Sequence, residues 1–250
     1  MKIIRFLFLL TILLTVTNNA HALRPLETDD GTISKPGAFQ FEAGVIYEAG
    51  HFGGNDNLSN FTLPFVLEYG LLPRFEVGLR VPIISNHPGR QGLLDLTGHL
   101  KYLIMEESIY FPGVATDLII KFPTASTVNN LSTGEPDIQL NLILSQDIGM
   151  NKWFINAGYT KIGNPPDIHY DDVFNYGAAV TLPYNQKWNF LFEISGETNK
   201  DPAAKSDFLE IVGGLSYQTM PNVVYDFSLG FGLTSSSPDI KLGIGTTVEF

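Results

Sequence analysis

From residue 38 to Phe250, apolar and polar residues alternate in about twelve segments, each near the ~10 residues that a tilted membrane-spanning strand needs. The segments run near 38–49, 59–70, 74–85, 93–105, 114–123, 137–149, 152–162, 173–184, 187–197, 208–219, 222–234 and 239–250. A period of two places successive side chains on opposite faces of a strand. In the third segment Phe75, Val77, Leu79, Val81 and Ile83 share one face, and Arg74, Glu76, Gly78, Arg80 and Pro82 share the other. The sixth sets Ile138, Leu140, Leu142 and Leu144 against Asp137, Gln139, Asn141 and Ser145. The eleventh sets Val223, Tyr225, Phe227, Leu229, Phe231 and Leu233 against Asp226, Ser228, Gly230 and Gly232. A face of Gly, Ser, Asn and charge makes a poor hydrophobic core, which excludes a soluble lipocalin-like barrel with an apolar interior. The pattern predicts an all-β fold: a transmembrane antiparallel β-barrel of about twelve strands with its apolar face toward lipid.

The connections also alternate. Short turns at Leu71–Pro73, Gly149–Asn151, Asn185–Gln186 and Met220–Pro221 separate longer polar loops at 50–57, 86–91, 124–136, 163–172 and 198–207. Glu106–Pro112 is long for the short series and Ser235–Pro238 short for the other. Outer-membrane barrels carry short periplasmic turns and longer external loops, and an even strand number puts both termini on the periplasmic side. Tyr69, Phe75, Trp153, Tyr184, Trp188, Tyr217, Tyr225 and Phe250 gather near the short turns, as an interfacial aromatic girdle would. The last segment, DIKLGIGTTVEF, ends on an aromatic; Val248 and Phe250 mark it as an assembly signal for barrel-assembly machinery. Its partner is expected to be the first strand, since joining the two removes both free edges.

Composition narrows the class further. Only 16% of residues are charged, while 24 Gly and 18 Phe suit a membrane barrel. Lys2, Arg5, the apolar run from Phe6 to Val16 and the Ala20-His21-Ala22 site predict a signal peptide over 1–22. A polar periplasmic N-terminal extension over 23–37 and the barrel over 38–250 follow. Removal of Lys2 and Arg5 leaves 13 basic residues against 26 acidic ones, a sign that excludes nucleic acid as a partner. Without Cys there is no disulfide framework, thiol nucleophile or thiolate metal site. No cofactor and no metal are expected.

Parity points Glu76, Arg80, His99, Lys101, Asp117, Asn141 and Glu193 inward as candidate solute-lining residues. Folding adjacent segments on each other places Glu76 near Lys101, Arg80 near His99, Lys101 near Asp117 and Lys121 near Asp137. Such pairs either brace the lumen wall or form a constriction that selects solutes. Inward acids outnumber inward bases by about twelve to five, which predicts a mild preference for cations. The N-terminal extension, or the 124–136 loop, has the polarity to fold in and plug the lumen.

Several motifs together resemble the outer-membrane transporters named for the meta-pathway of phenol degradation. RPLETDDGTISKPGAFQFEAG resembles the opening of that family and LPFVLEYGLLPRFEVGLRVP its strand–turn–strand signature. LLDLTGHLKYLI, VATDLIIKFPT, TGEPDIQLNLILSQDIG and NAGYT follow in the family's order, ahead of its closing strand. The resemblance implies a passive outer-membrane channel for small molecules, aromatic or hydrophobic ones included, with outer-membrane lipids around it and no catalytic residues. Two other classes stay open at this point. A lipid-acting outer-membrane hydrolase would need a nucleophile and an oriented base. His99 points inward, away from lipid; His51, His87 and His169 fall in loops, near Ser59, Ser85 and Asp171 in sequence only; no GxSxG occurs. A structural or adhesive barrel would use its acidic loops, Asn55-Asp56-Asn57 and Asp171-Asp172, although such pairs are common turn formers.

Overall fold

Alternation becomes strand in each of the twelve segments. The computed structural model describes residues 24–52, 55–87 and 89–250, and the signal peptide predicted for 1–22 lies outside the described residues. So do the side chains of His51, Asn55, Asp56, Asn57 and His87. The strands are β1 (Phe39–Phe52), β2 (Asn55–Leu72), β3 (Phe75–His87), β4 (Gln91–Leu93), β5 (Leu96–Met105), β6 (Gly113–Phe122) and β7 (Asp137–Ile148). They continue with β8 (Asn151–Lys161), β9 (Val173–Pro183), β10 (Trp188–Glu197), β11 (Phe208–Met220), β12 (Val223–Gly232) and β13 (Ile240–Glu249). Consecutive strands pair antiparallel, except β4 with β5, β1 pairs with β13, and the sheet closes on itself. Both β4 and β5 pair with β3, as two parts of one wall strand, so the 13 strands make a barrel of twelve.

The break between β4 and β5 has a local cause. Ile83 faces Leu93 and Arg80 faces Thr97, which leaves Leu94, Asp95 and Leu96 opposite only Val81 and Pro82. Proline has no N–H to give the ladder, and the strand bulges there by one residue. At the other long-loop boundary the expected 50–57 loop is mostly strand, since Phe52 pairs with Asn55.

Closure joins the ends of the chain. Phe41 faces Val248, and Phe39 and Phe250 exchange N–H···O bonds of 2.7 and 2.8 Å. Rings around this end stack across strands: Phe39 lies 4.5 Å from Tyr69 and 5.9 Å from Phe250, Phe75 4.6 Å from Tyr102, and Trp188 4.4 Å from Tyr217. The start of β1, the end of β13 and the short turns share this end, the turn end. Leu140, Ile155, Phe192, Tyr225, Phe227 and Ile244 are exposed on the outer wall, the side the barrel turns to lipid.

The inner wall is not uniformly polar. Ala115, Ile143, Phe154, Ala179 and Leu191 point inward in the half near the turn end, Val212 points inward nearer the other end, and all are buried. The parity reading of the sixth segment passed over Ile143, whose inward side chain is fully covered. What covers this apolar band is the segment before β1.

Candidate functional site

Residues 24–35 enter the barrel rather than remaining outside it as a periplasmic extension. Arg24 Nε reaches Asp226 Oδ2 at 3.4 Å, and its guanidinium occupies the space that a Cβ on Gly44 or Gly245 would take. Glycine at both wall positions is what admits that side chain. Glu27 Oε1 lies 3.1 Å from Lys241 Nζ, which also donates to Glu210 at 2.9 Å. The main-chain N–H groups of Glu27 and Thr28 both donate to Glu193. Asp29 accepts from Lys101 at 2.8 Å, and the Asn156 amide brackets its main chain. Ser34 N–H donates to Glu76 Oε2 at 2.7 Å. Pro25 and Gly31 meet the apolar band, at Gly214 with Leu191 and at Ala115. An extended segment has many unpaired main-chain groups, and here the lumen wall supplies partners for them.

Around this plug runs a cavity of about 770 Å³, lined by plug residues such as Glu27 and Asp29 and, on the wall, by Glu76, Arg80, His99, Lys101, Asp117 and Asn141 among others. Among the described residues that line it, carboxylates number twelve and Lys or Arg side chains six. Glu193 is buried beneath the plug and does not line this space. Asn141 accepts from Gln139 at 2.9 Å and from Asn175 at 3.1 Å, a neutral amide patch on the far wall.

The charge ladder forms on the register expected from folding adjacent segments, with one difference. Glu76 faces Lys101, Lys101 faces Asp117, and Lys121 faces Asp137 with an ion pair of 2.6 Å. Arg80, however, faces Thr97, and His99 faces Gly78; the expected Arg80–His99 pair is instead a diagonal. The physical reason is the hairpin centre itself, since a register that joins Glu76 to Lys101 must join Arg80 to Thr97. His99 has Asp117 Oδ2 3.3 Å from Nδ1 and Glu68 Oε1 3.7 Å from Nε2. Sequence reasoning missed Glu68, although its even position in β2 is the inward one, and missed Arg24, Glu27 and Asp29 because their segment has no periodicity. The signal for the latter was complementarity: a short run carrying both charge signs ahead of a barrel with paired charges inside.

The 124–136 loop does not line the cavity. Asp95, in the break between β4 and β5, fastens it at the rim by accepting from Ala125 N–H at 2.9 Å and Ser132 Oγ at 2.7 Å. The neighbouring loop is tied by Asp172, which accepts from Tyr159 Oη at 2.6 Å, Lys161 Nζ at 3.0 Å and Ile162 N–H at 3.0 Å. These donors, the Tyr159 hydroxyl foremost, hold the Asp172 carboxyl down to about 2. Its share of loop stability is therefore whole above the ordinary value of 3.8 and is lost as the pH falls through about 2.

Lys101 is the hub of the ladder, 5% exposed at its side chain and within 3.6 Å of Glu76 as well as bonded to Asp29. Lys101→Met should destabilise the barrel by about 3–5 kcal/mol, because it strands buried carboxylates without a counter-charge. The Lys101→Met/Glu76→Gln double variant should recover part of that loss. Urea titration of the folded, fast-migrating form in detergent measures both, and equal losses in the two variants would contradict the pairing.

A family model described as "Putative MetA-pathway of phenol degradation" matches residues 22–250. The sequence matches no curated protein. In fold the chain is similar to the crystal structure of an outer membrane channel from Pseudomonas putida F1, with 12% identity, a TM-score of 0.70, and 90% of this chain and 100% of that one covered. It is also similar to the NanC porin, with 12% identity, a TM-score of 0.61, and 83% and 98% of the two chains covered. The KdgM porin gives 9% identity, a TM-score of 0.57, and 84% and 99% covered. All three are outer-membrane barrels, and this chain has their fold.

Proposed function

The chain belongs to the MetA-pathway of phenol degradation family, and from that membership and its interior we propose that it is a passive channel for small molecules across the bacterial outer membrane. The observation that carries the reading is the acid-rich cavity of about 770 Å³ inside a closed barrel, stoppered from the turn end by residues 24–35. A sealed structural barrel has no need of such a space. The solutes are small and include aromatic or hydrophobic ones, in keeping with the family's description. Glu76, Arg80, His99, Lys101, Asp117 and Asn141 line their route, while Glu193 seats the plug. Outer-membrane lipids surround the outer wall, the turn end faces the periplasm, and assembly machinery reads the strand that ends at Val248 and Phe250.

The protein is not an enzyme on this reading. His99 stands among carboxylates, with Asp117 at Nδ1 and Glu68 facing Nε2, rather than beside a hydroxyl nucleophile. Hydrolysis of lipid would need such a pair in reach of the bilayer.

Twelve carboxylates against six cationic side chains should repel anions from the lumen. In planar bilayers under a potassium chloride gradient the reversal potential should favour potassium, and phenol should cross protein-containing vesicles faster than empty ones. A chloride preference would contradict the electrostatic argument, and an absence of both conductance and phenol flux would contradict the channel.

A further inference from the structure

We propose that Glu68, Glu76 and His99 form a binding site for a divalent transition-metal ion, of which zinc is the type, in the lumen wall beside the plug. One carboxylate oxygen from each glutamate and one ring nitrogen of His99 lie within 4.8 Å of one another. The remaining atoms of these side chains are held by other groups. Glu68 Oε2 accepts from Gln40 Nε2 at 2.9 Å, and Glu76 Oε2 accepts from Ser34 N–H at 2.7 Å. His99 Nδ1 is 3.3 Å from Asp117 Oδ2. A carboxylate there accepts a hydrogen bond from Nδ1–H and leaves the Nε2 lone pair facing the glutamates, the support that metal-binding histidines have.

The inward atoms lack the partners that burial demands. Glu76 is 2% exposed, and its Oε1 has no hydrogen bond; His99 Nε2 is buried without one as well. Buried polar atoms left unpaired are costly, and two converging on the same point ask for a shared partner. Lys101 Nζ is 3.6 Å from Glu76 Oε1, beyond hydrogen-bond reach, and is engaged by Asp29 at 2.8 Å. Glu68, Glu76, Asp117 and Asp29 outweigh Lys101 in charge, so a dication is electrostatically favoured.

The donor set suits zinc, which takes imidazole nitrogen and carboxylate oxygen at ~2.0–2.2 Å and so holds tetrahedral ligands roughly 3.4 Å apart. His99 Nε2 and Glu68 Oε1 are already 3.7 Å apart, and a Glu76 carboxylate oxygen lies within 4.8 Å of the other two ligand atoms. Gly78 makes this possible: the His99 ring lies over it, where any Cβ would collide. A bound ion would join β2, β3 and β5 next to the plug's Ser34 and Asp29. The site does not depend on what the channel passes.

The test is zinc titration of the chelator-stripped protein in detergent, with folding of each variant checked by heat-modifiable migration. One zinc per chain should bind to the wild type. Affinity should fall at least tenfold in His99→Ala and in Glu68→Gln, and be unchanged in the loop variant His169→Ala. Cobalt in the wild type, which needs no variant to fold, should give the intense visible bands of a four-coordinate site. Failure of the wild type to bind zinc, unchanged affinity in folded Glu68→Gln, or only the weak bands of six-coordinate cobalt would each overturn the proposal.

Discussion

Deletion of residues 24–35 should raise single-channel conductance severalfold while leaving a folded barrel. The wall does not need the plug for its closure, because each of the twelve wall strands, with β4 and β5 counted as one, pairs with two neighbours in the sheet. What the plug supplies is filling: it covers the apolar band around Ile143 and Leu191 and neutralises Asp226, Lys241 and Lys101 through Arg24, Glu27 and Asp29. Once it is gone, water enters and hydrates those charges, so they are not left in the buried, unpaired state that would cost several kcal/mol. Twelve strands spaced ~4.8 Å apart and tilted ~40° enclose a backbone radius near ~12 Å, wide enough for an aqueous passage after side chains. Conductance in planar bilayers and migration before and after boiling separate the two claims. Unchanged conductance in a folded deletion variant would show that the plug does not set the passage.

Truncation of Val248–Phe250 should act in the opposite way, removing the folded barrel before any transport can be measured. Val248 sits between Phe41 and Val223, Glu249 N–H donates to Asn222 O at 3.0 Å, and Phe250 exchanges two bonds with Phe39. Their loss leaves the starts of β1 and β12 with unpaired N–H and C=O groups at the membrane interface, each costing up to several kcal/mol toward the hydrocarbon. Phe250→Ala keeps the backbone bonds and should be milder, losing the ring contact with Phe39. Refolding of purified chains into detergent, compared with assembly in cells, divides the effect. A truncated chain that refolds normally in detergent yet fails in cells would place the defect in recognition of the chain end. Normal assembly in both would contradict the closing role of this strand.

The wall was legible from residue order because lipid and lumen impose opposite demands on alternate positions. Glu76 and Lys101 were pairable from the hairpin between β3 and β5, and Lys121 and Asp137 from the connection between β6 and β7, since antiparallel register is arithmetic once a turn is located. By the same arithmetic Arg80 lands near His99, but as its diagonal neighbour, with Thr97 directly opposite. Depth was less legible than side. Parity says that Ile143, Leu191 and Val212 face inward, but only the position of residues 24–35 explains why apolar groups are tolerated there. That segment has no period to read, and its docking rests on contacts between residues some 200 positions apart, such as Arg24 with Asp226. Glu68 was hidden differently, as one more inward acid whose meaning depends on Glu76 and His99 in two other strands.

The stopper and the wall are one chain, joined through Pro36, Gly37 and Ala38 at the turn end, where Ala38 N–H donates to Lys35 O and Gly37 N–H to Gly70 O. Fully extended, the segment reaches ~40 Å at ~3.3–3.6 Å per residue, so a displaced stopper hangs just below the mouth it left. Its local concentration there is on the order of millimolar whatever the number of channels in the membrane. Should the stopper leave, its return is a first-order event, independent of how much protein the cell has made.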